Sequence, residues 1–306
     1  MRETPNLTTA DIHSLLRDRS NWGRWGDDDQ RGAINLITAE KRAAAAGLVR
    51  TGRSVSISRD FPTVETPLNP RPMKHTVNTI QHMTGGAALD HLSFVFHGFT
   101  ATHVDALCHV WDEQGLWNGR KPEDAIAPEG VNFGGIEAWR DGITTRGVLL
   151  DVPKFRGEPF VTIEKPVHCE ELEAIAKAQG VEMEPGDALV LYGGREKFTD
   201  ANPEWRMESP SSPTPGFDAS CLAFIRDHDV AVVAWDMLDA SPNPYGIPWA
   251  VHGAIFAYGI ALVDNALVEP LADACAEENR YEFMLTFAPI PIVGGTGSPV
   301  NPIALF

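Results

Sequence analysis

The amino-acid sequence predicts a mixed fold of the α/β or α+β class, with several antiparallel strands. Short runs of β-branched and aromatic residues, each bounded by glycine, proline or aspartate, predict strands from residue 54 onward. Prolines and glycines are spread evenly along the 306 residues, so no linker marks a boundary. We therefore expect a single domain spanning residues 1–306. The predicted strands are 54–61, 92–99, 147–152, 187–194, 230–237 and 283–290.

Four segments have the apolar spacing and the end signals of helices. The first has Thr8 or Thr9 as its cap, and the second begins with a capping-box pattern at Thr38. The third ends at Gly180, a residue type that commonly terminates helices. Helices lie between some of the strands, a mixture that is typical of the α/β or α+β class. The predicted helices are 7–19, 38–52, 168–180 and 215–229.

Charge and cysteine content exclude several classes of protein. The formal net charge of −17 argues against binding to nucleic acid or to an anionic membrane surface. The longest apolar stretch, residues 254–263, is too short to cross a bilayer, and the N-terminal segment lacks the apolar core of a signal peptide. The four cysteines are scattered, which suits a reducing cytoplasm better than a disulfide framework or a cysteine-based zinc site.

The stretch HGFTATHVDALCHVW, residues 97–111, concentrates groups that bind metals. His103 and Asp105 are two residues apart, so their side chains share one face of an extended segment. His109 lies four residues beyond Asp105, a spacing that suits the first turn of a helix following the strand. Imidazole and carboxylate together suit zinc, manganese or iron, but a catalytic site needs a further ligand from elsewhere. The pair by itself is equally consistent with a structural hydrogen bond.

The same stretch resembles the signature of the cyclase-like metal-dependent hydrolases, a family that includes bacterial kynurenine formamidases and isatin hydrolases. That signature reads His-x-Gly-Thr-His-x-Asp-x-Pro-x-His, and it is matched at Thr102, His103, Asp105 and His109. The chain departs from it in three places. Phe99 stands where the family has its first histidine, and alanine and leucine replace the signature glycine and proline.

A second match lies far along the chain. The family carries a distal histidine followed twelve residues later by a glutamate or glutamine ligand. His252 and Asp264 have this separation, although the aspartate is one methylene shorter than glutamate. Asn265 and the Gly259-Ile260 pair match the surrounding context, and both chain ends also look like the family. The resemblance therefore covers nearly the whole chain.

The resemblance implies a fold, an assembly and a metal site. The fold is a mixed β-sheet or barrel-like core with flanking helices, of the swivelling β/β/α type, and members form homodimers or homotetramers. Phe99 removes one ligand of a two-metal site, which favours one divalent ion, zinc or manganese, per chain. The implied metal ligands are His103, Asp105, His252 and Asp264.

The implied activity is hydrolysis of a carbon–nitrogen bond in a small cyclic amide or aryl formamide by metal-activated water. His109 would move protons, or alternatively orient a ligand through a hydrogen bond. Phe99 and Trp117 are candidate substrate contacts, although core packing is the commoner fate of such residues. Two alternatives remain open: a lactone hydrolase with the same metal site, and a binding protein whose site has degraded.

Overall fold

The computed structural model describes residues 7–66, 68–205 and 212–306. Within these ranges the chain forms a curled, half-barrel sheet of mixed strand direction with helices packed on it, so the predicted mixed α/β fold is confirmed. The strands are β1 (Ser54–Ser56), β2 (Lys74–His82), β3 (Gly85–Ser93), β4 (His103–Asp105), β5 (Ile126–Ala127), β6 (Gly130–Val131), β7 (Ile143–Asp151), β8 (Ala188–Tyr192), β9 (Val232–Trp235), β10 (Ala261–Asp264), β11 (Glu282–Phe287), β12 (Gly297–Pro299) and β13 (Ile303–Leu305).

The helices flank this sheet, and the longer ones bury one apolar face against it. Short 3-10 turns occur at Gly32–Leu36, Trp117–Gly119, Ile136–Trp139 and Val251–Gly253. Among the described residues, no helix has the length and apolar character needed to cross a membrane. The α-helices are α1 (Thr9–Leu16), α2 (Ala39–Ala46), α3 (Pro122–Ala125), α4 (Val152–Arg156), α5 (Cys169–Gln179), α6 (Arg195–Ala201), α7 (Cys221–Asp227), α8 (Ala254–Tyr258) and α9 (Glu269–Glu278).

The main sheet has the strand order β1-β13-β11-β7-β8-β9-β10-β4-β12. Strands β7, β8, β9 and β10 run parallel, and the remaining neighbours pair antiparallel. The central strands β8, β9 and β10 are buried along their whole length. This explains their nearly continuous apolar sequences, because helices or other strands cover both faces. The antiparallel strand β4 lies beside β10 and brings the histidine-rich stretch to the carboxyl end of the parallel strands.

Several predicted elements are confirmed, with shorter bounds. Thr8 caps α1, since its side-chain oxygen accepts the amide of Asp11 while the Asp11 carboxylate accepts the Thr8 amide. Helix α5 ends at Gly180, whose φ of 69° places it in the left-handed region. Helix α7 occupies only the second half of the predicted 215–229, because the chain before it runs as turns and isolated bridges.

The predicted strand 92–99 is wrong in its bounds, and the hairpin that replaces it was not predicted. Strands β2 and β3 pair antiparallel over nine residues each, and all eighteen residues are exposed. Strand β3 ends at Ser93, and residues 94–102 form a loop that leads into β4. The polar, glycine-rich composition of 74–93 lacks the apolar alternation of a half-buried strand, which is why the hairpin was not recognised.

Gly259 connects the segment carrying His252 to the strand carrying Asp264. It ends α8 with φ 72°, and a Cβ atom there would lie 2.8 Å from the Gly32 Cα and 2.9 Å from the Trp117 ring. Only glycine combines this backbone conformation with so close an approach. The sharp turn reverses the chain into β10, so the twelve-residue separation of His252 and Asp264 becomes a contact.

Candidate metal centre

Sheet register places three of the predicted ligands on one face. His103 and Asp105 are the first and last residues of β4, so they point to the same side. Asp264, the last residue of β10, pairs directly with His103 across the antiparallel ladder. A ligand atom from each of these three side chains lies within 4.8 Å of the others, and all three residues are buried. This group is called the buried triad below.

His252 joins the buried triad from the 3-10 turn Val251–Gly253. Its Nε2 lies 3.3 Å from the Asp264 Oδ2, and its Nδ1 lies 3.0 Å from the Asp239 Oδ2. The indole N–H of Trp235 donates to the other Asp264 oxygen. His252 therefore reaches the buried triad through its contact with Asp264. Asp239, which the sequence analysis did not single out, lies directly behind His252.

His97 approaches the same Asp105 oxygen as His103 and completes a second group of possible ligands. Its Nδ1 lies 3.0 Å from the Asp105 Oδ1, and its Nε2 lies 3.1 Å from the Thr296 hydroxyl. Gly297 provides the space, because a Cβ there would lie only 2.8 Å from the His97 ring. With Asp105 and His109, His97 forms a group whose ligand atoms also lie within 4.8 Å of one another. This group is called the outer triad.

Phe99 occupies the position of the missing family ligand, and His97, two residues earlier, was a possible substitute for it from the sequence, at a different distance from the site. In the structure His97 contacts Asp105, while the Phe99 carbonyl accepts a hydrogen bond from Arg195. The signal available in the sequence was the presence of His97 in the same histidine-rich run. Its approach depends on the fold of loop 94–102, which residue spacing does not reveal.

His109 reaches the centre from a turn, so the predicted helix at this position is wrong. The His109 amide donates to the Ala106 carbonyl, and residues 106–110 form no helix. The His109 ring stacks on His97 with centroids 4.1 Å apart and planes 6° apart. Its Nε2 lies 3.6 Å from the Asp105 Oδ1, and a quarter of its side chain is exposed. His109 is therefore the part of the outer triad that borders solvent, together with His97.

Asp105 provides the test of whether a cation fits. Its side chain is completely buried, and in the described part of the chain neither carboxylate oxygen accepts a hydrogen bond of good geometry, although imidazole nitrogens lie 3.0–3.6 Å from Oδ1. The Nδ1 atom of His97 is likewise buried without one. An unsatisfied buried polar group costs about 1–3 kcal/mol and calls for an explanation. A metal ion ligated by these atoms would satisfy them, and the imidazole and carboxylate donors suit a divalent transition metal.

Proton-bearing imidazoles balance the buried carboxylates in the metal-free chain. Burial alone would lower the pKa of His103, but the charges of Asp105 and Asp264 outweigh burial and raise that pKa to about 9. Burial likewise opposes the charged form of His252, but Asp239 and Asp264 raise its pKa well above the usual value. Despite burial, the neighbouring imidazoles of His109 and His103 hold the pKa of Asp105 well below its usual range. A divalent ion could replace these protons as the compensating positive charge.

Burial shifts the pKa values of two other residues near the centre, His109 and Cys108. Burial, reinforced by the charges of His97 and His252, lowers the pKa of His109 to about 4, although Asp105 opposes that shift. Burial raises the pKa of the Cys108 thiol to about 12. At neutral pH the His109 imidazole is therefore neutral, and Cys108 is a protonated thiol unsuited to ligating a metal.

The two predicted substrate contacts lie in different surroundings. Phe99 borders a cavity of about 180 Å³ that is also lined by His97 and Arg71. Trp117 is fully buried, lies near Trp25 with ring centroids 6.1 Å apart and planes tilted by 38°, and donates its indole N–H to the Asp29 carbonyl. Phe99 thus lies where a substrate could reach it, whereas Trp117 packs in the core beside Gly259.

Aromatic rings border the metal centre on two sides. Phe96 lies 4.5 Å from the His97 ring and 6.0 Å from the His103 ring, measured between centroids. On the other side, the Trp249 ring lies 5.7 Å from His252. Phe96 and Trp249 are each half-buried, so both present ring surface beside the candidate ligands. A flat apolar substrate would fit such surroundings.

The chain was compared with protein families, curated proteins and solved structures. The Cyclase family model, described as "Putative cyclase", matches residues 51–242. No curated protein gives a significant match. A crystal structure described as that of a novel cyclase is 32% identical to this chain, with a TM-score of 0.81, and the match covers 94% of this chain and 99% of that one.

Isatin hydrolases share the fold at lower identity. Isatin hydrolase A from Labrenzia aggregata, bound to benzyl benzoate, is 19% identical with a TM-score of 0.58, over 85% of this chain and 94% of that one. An isatin hydrolase bound to the product analogue thioisatinate is 14% identical with a TM-score of 0.59, over 88% and 99%. The family match covers more than half of the chain, and the novel cyclase matches it nearly end to end. From these two matches, the chain belongs to the Cyclase family.

Proposed function

We propose that this protein is a metal-dependent hydrolase that cleaves a carbon–nitrogen bond in a small cyclic amide or aryl formamide. The observation that carries the proposal is Asp105, a fully buried carboxylate shared by the buried and outer triads, whose Oδ1 faces the imidazoles of His97 and His109 and whose Oδ2 makes no hydrogen bond with the described residues. A buried anion surrounded by three imidazoles is costly without a ligand, and a divalent ion is the ligand that this donor set favours.

The residues that would hold the ion are His103, Asp105, His252 and Asp264. Each histidine already has its other ring nitrogen engaged: the His103 Nδ1 lies 2.9 Å from the Ala101 carbonyl, and the His252 Nδ1 faces Asp239. Such contacts fix the ring orientation and the nitrogen that is free to ligate. We propose one zinc or manganese ion per chain. A bound ion of this kind lowers the pKa of water and polarises a substrate carbonyl.

His109 is the residue proposed to move the proton. It lies beside Asp105, it borders solvent, and its imidazole is neutral at neutral pH, so a ring nitrogen can accept a proton. We propose that the His109 Nε2 takes the proton of the attacking water and returns it to the leaving nitrogen. The stacked His97 ring limits the movement of His109. If a second ion occupied the outer triad, His97 and His109 would instead be ligands, and metal content distinguishes the two arrangements.

The proposed substrate class follows from the ring-lined surroundings and from the neighbours. Phe96, Phe99 and Trp249 offer apolar ring surface near the ligands, which suits a flat aromatic substrate. Two structures that share the fold are named isatin hydrolases, and isatin is a cyclic amide fused to an aromatic ring. These names describe those proteins, and they motivate testing isatin-like substrates first.

The proposal is tested by metal analysis followed by a substrate panel. We expect about one zinc or manganese ion per chain by elemental mass spectrometry, and much less in His103→Ala. The metal-loaded protein should then open isatin-like cyclic amides or cleave N-formyl anilines faster than it opens lactones. A protein that takes up no metal after supplementation contradicts the proposal. Preference for lactones would indicate that the enzyme cleaves an ester bond and not a carbon–nitrogen bond.

Assembly and compartment are also proposals. We propose a homodimer or homotetramer, to be measured by light scattering of the purified chain. We propose a cytoplasmic location, since the four cysteines are free thiols, as expected in a reducing compartment. Fractionation of cells that express the native gene would test the location.

A further inference from the structure

Asp239 contacts a candidate metal ligand from behind, and nothing in the family signature identifies it. It lies in the loop after β9, where its backbone bridges to Phe217. Its Oδ1 accepts the amide of Val251 at 2.8 Å and the amide of His252 at 3.3 Å. Its Oδ2 lies 3.0 Å from the His252 Nδ1. The carboxylate therefore has two different ends: one is bound to backbone donors, and the other faces the imidazole.

We propose that Asp239 is a positioning residue that fixes which nitrogen of His252 faces the metal centre. This inference rests on the proposed metal site. A carboxylate can only accept hydrogen bonds, so the His252 nitrogen facing Asp239 must carry a hydrogen. The Nε2, which lies 3.3 Å from Asp264, is then the nitrogen that is free to ligate.

His252 needs this control because it lies between two acceptors. Asp239 and Asp264 each approach one of its ring nitrogens, and an imidazole that ligates a metal through one nitrogen has a hydrogen only on the other. His103 differs, since its Nδ1 lies 2.9 Å from the Ala101 carbonyl, a backbone acceptor that no side-chain change removes. For His252 the choice of nitrogen therefore depends on a replaceable side chain.

The geometry makes Asp239→Asn an unusually informative change. The two backbone amides at the Oδ1 position require an acceptor, so they hold the amide oxygen of asparagine there. The NH₂ group is then forced to the Oδ2 position, where it donates to the His252 Nδ1. The ring hydrogen must move to Nε2, which blocks the ligating nitrogen. Asp239→Ala removes the acceptor without supplying a donor, and it leaves His252 free to adopt either tautomer.

Control of the tautomer therefore predicts a different order of zinc affinities among the Asp239 variants than a purely structural role would give. Asparagine keeps the shape and the backbone contacts of Asp239, so a structural role makes Asp239→Ala the more damaging change. Control of the tautomer makes Asp239→Asn the more damaging one for metal binding. We expect a loss of zinc affinity of roughly ten- to hundred-fold in Asp239→Asn, the range typical of partners that orient metal ligands, and a smaller loss in Asp239→Ala.

Asp218 offers a matched control. It is also a carboxylate that accepts a backbone amide, from Ser220 at 2.8 Å, and that faces a histidine Nδ1, from His168 at 3.3 Å. It takes no part in either triad. Asp218→Asn should therefore leave zinc affinity unchanged while reproducing the chemical substitution.

The experiment measures zinc affinity of the full chain by competition with a chromophoric chelator. In zinc-loaded protein labelled with ¹⁵N-histidine, ring-nitrogen shifts should report a ligating Nε2 for His252 in the wild type and its loss in Asp239→Asn. We expect the wild type and Asp218→Asn to bind zinc equally tightly, Asp239→Ala to bind it more weakly, and Asp239→Asn to bind it most weakly. If the wild type binds zinc but Asp239→Ala has a zinc affinity equal to or lower than that of Asp239→Asn, this inference alone is overturned. Absence of zinc binding by the wild type overturns the proposed function and this inference with it.

Discussion

Replacing Asp105 by asparagine should abolish the stabilisation of this protein by metal. Asp105 is the residue common to the buried and outer triads, so its loss removes a charged ligand from both groups and the only carboxylate of the outer triad. Asparagine keeps nearly the same volume in a fully buried position, so packing changes little. The effect should therefore appear in metal binding, whichever triad holds the ion.

The size of the effect follows from linkage and chain length. A ligand that binds only the folded state at a hundred times its Kd adds about 2.7 kcal/mol to the free energy of unfolding. At roughly 2.1 cal/mol/K per residue, the 306 residues give an unfolding entropy of about 0.64 kcal/mol/K. Saturating zinc should thus raise the Tm of the wild type by about 4 °C, and the Tm of Asp105→Asn by nearly nothing.

Differential scanning fluorimetry with and without zinc measures this difference. Asp90→Asn is a suitable control, because Asp90 is an exposed carboxylate of the β2–β3 hairpin that also pairs with a histidine. The control should keep the full shift. If Asp105→Asn kept the wild-type shift as well, zinc would bind elsewhere, and the reasoning from the unpaired carboxylate would be refuted.

Three further outcomes are expected. His97→Ala should keep about one zinc per chain by elemental analysis but lose turnover, and a fall from two ions to one would instead identify a dinuclear centre. Gly259→Ala should lower the Tm at least twice as much as Gly157→Ala; both glycines have positive φ, but only Gly259 would meet neighbouring atoms, and the left-handed cost alone is about 1–2 kcal/mol. His168 donates a hydrogen bond to Asp218 that raises the His168 pKa, so the stabilisation it provides is complete below about pH 6.5 and is lost as pH rises through the folded pKa. Because His168 is half exposed, chemical denaturation of wild type and His168→Gln at pH 6 and pH 8 should differ by at most about 0.5 kcal/mol, and a larger difference at pH 8 than at pH 6 would contradict this sign.

Local sequence determined much of the secondary structure. The Thr8 cap and the Gly180 stop predicted helix ends correctly, because capping depends on residues three or four positions apart. The buried strands β7, β8, β9 and β11 lie within or overlap the predicted apolar runs. The exposed β2–β3 hairpin was missed, since apolar periodicity reports burial and these strands are not buried.

The sequence by itself also determined which candidate ligands share a strand face. His103 and Asp105 lie two residues apart on an extended segment, and the period of a strand leaves them no other arrangement. The family resemblance added His252 and Asp264, and the structure brings all four residues together. The sequence could not supply the distances between these four side chains, because they depend on how segments about 160 residues apart are paired.

Only the tertiary structure decided what surrounds Asp105. The register of β4 against β10 places Asp264 opposite His103, and the turn at Gly259 returns His252 to the same face. His97 approaches from a loop through the space left by Gly297, and Asp239 reaches His252 across thirteen residues. Residue spacing predicts neighbours only within one regular element. Contacts between loops and separate strands are decided when the whole chain packs, so the ligand types were visible in the sequence while their mutual orientation was not.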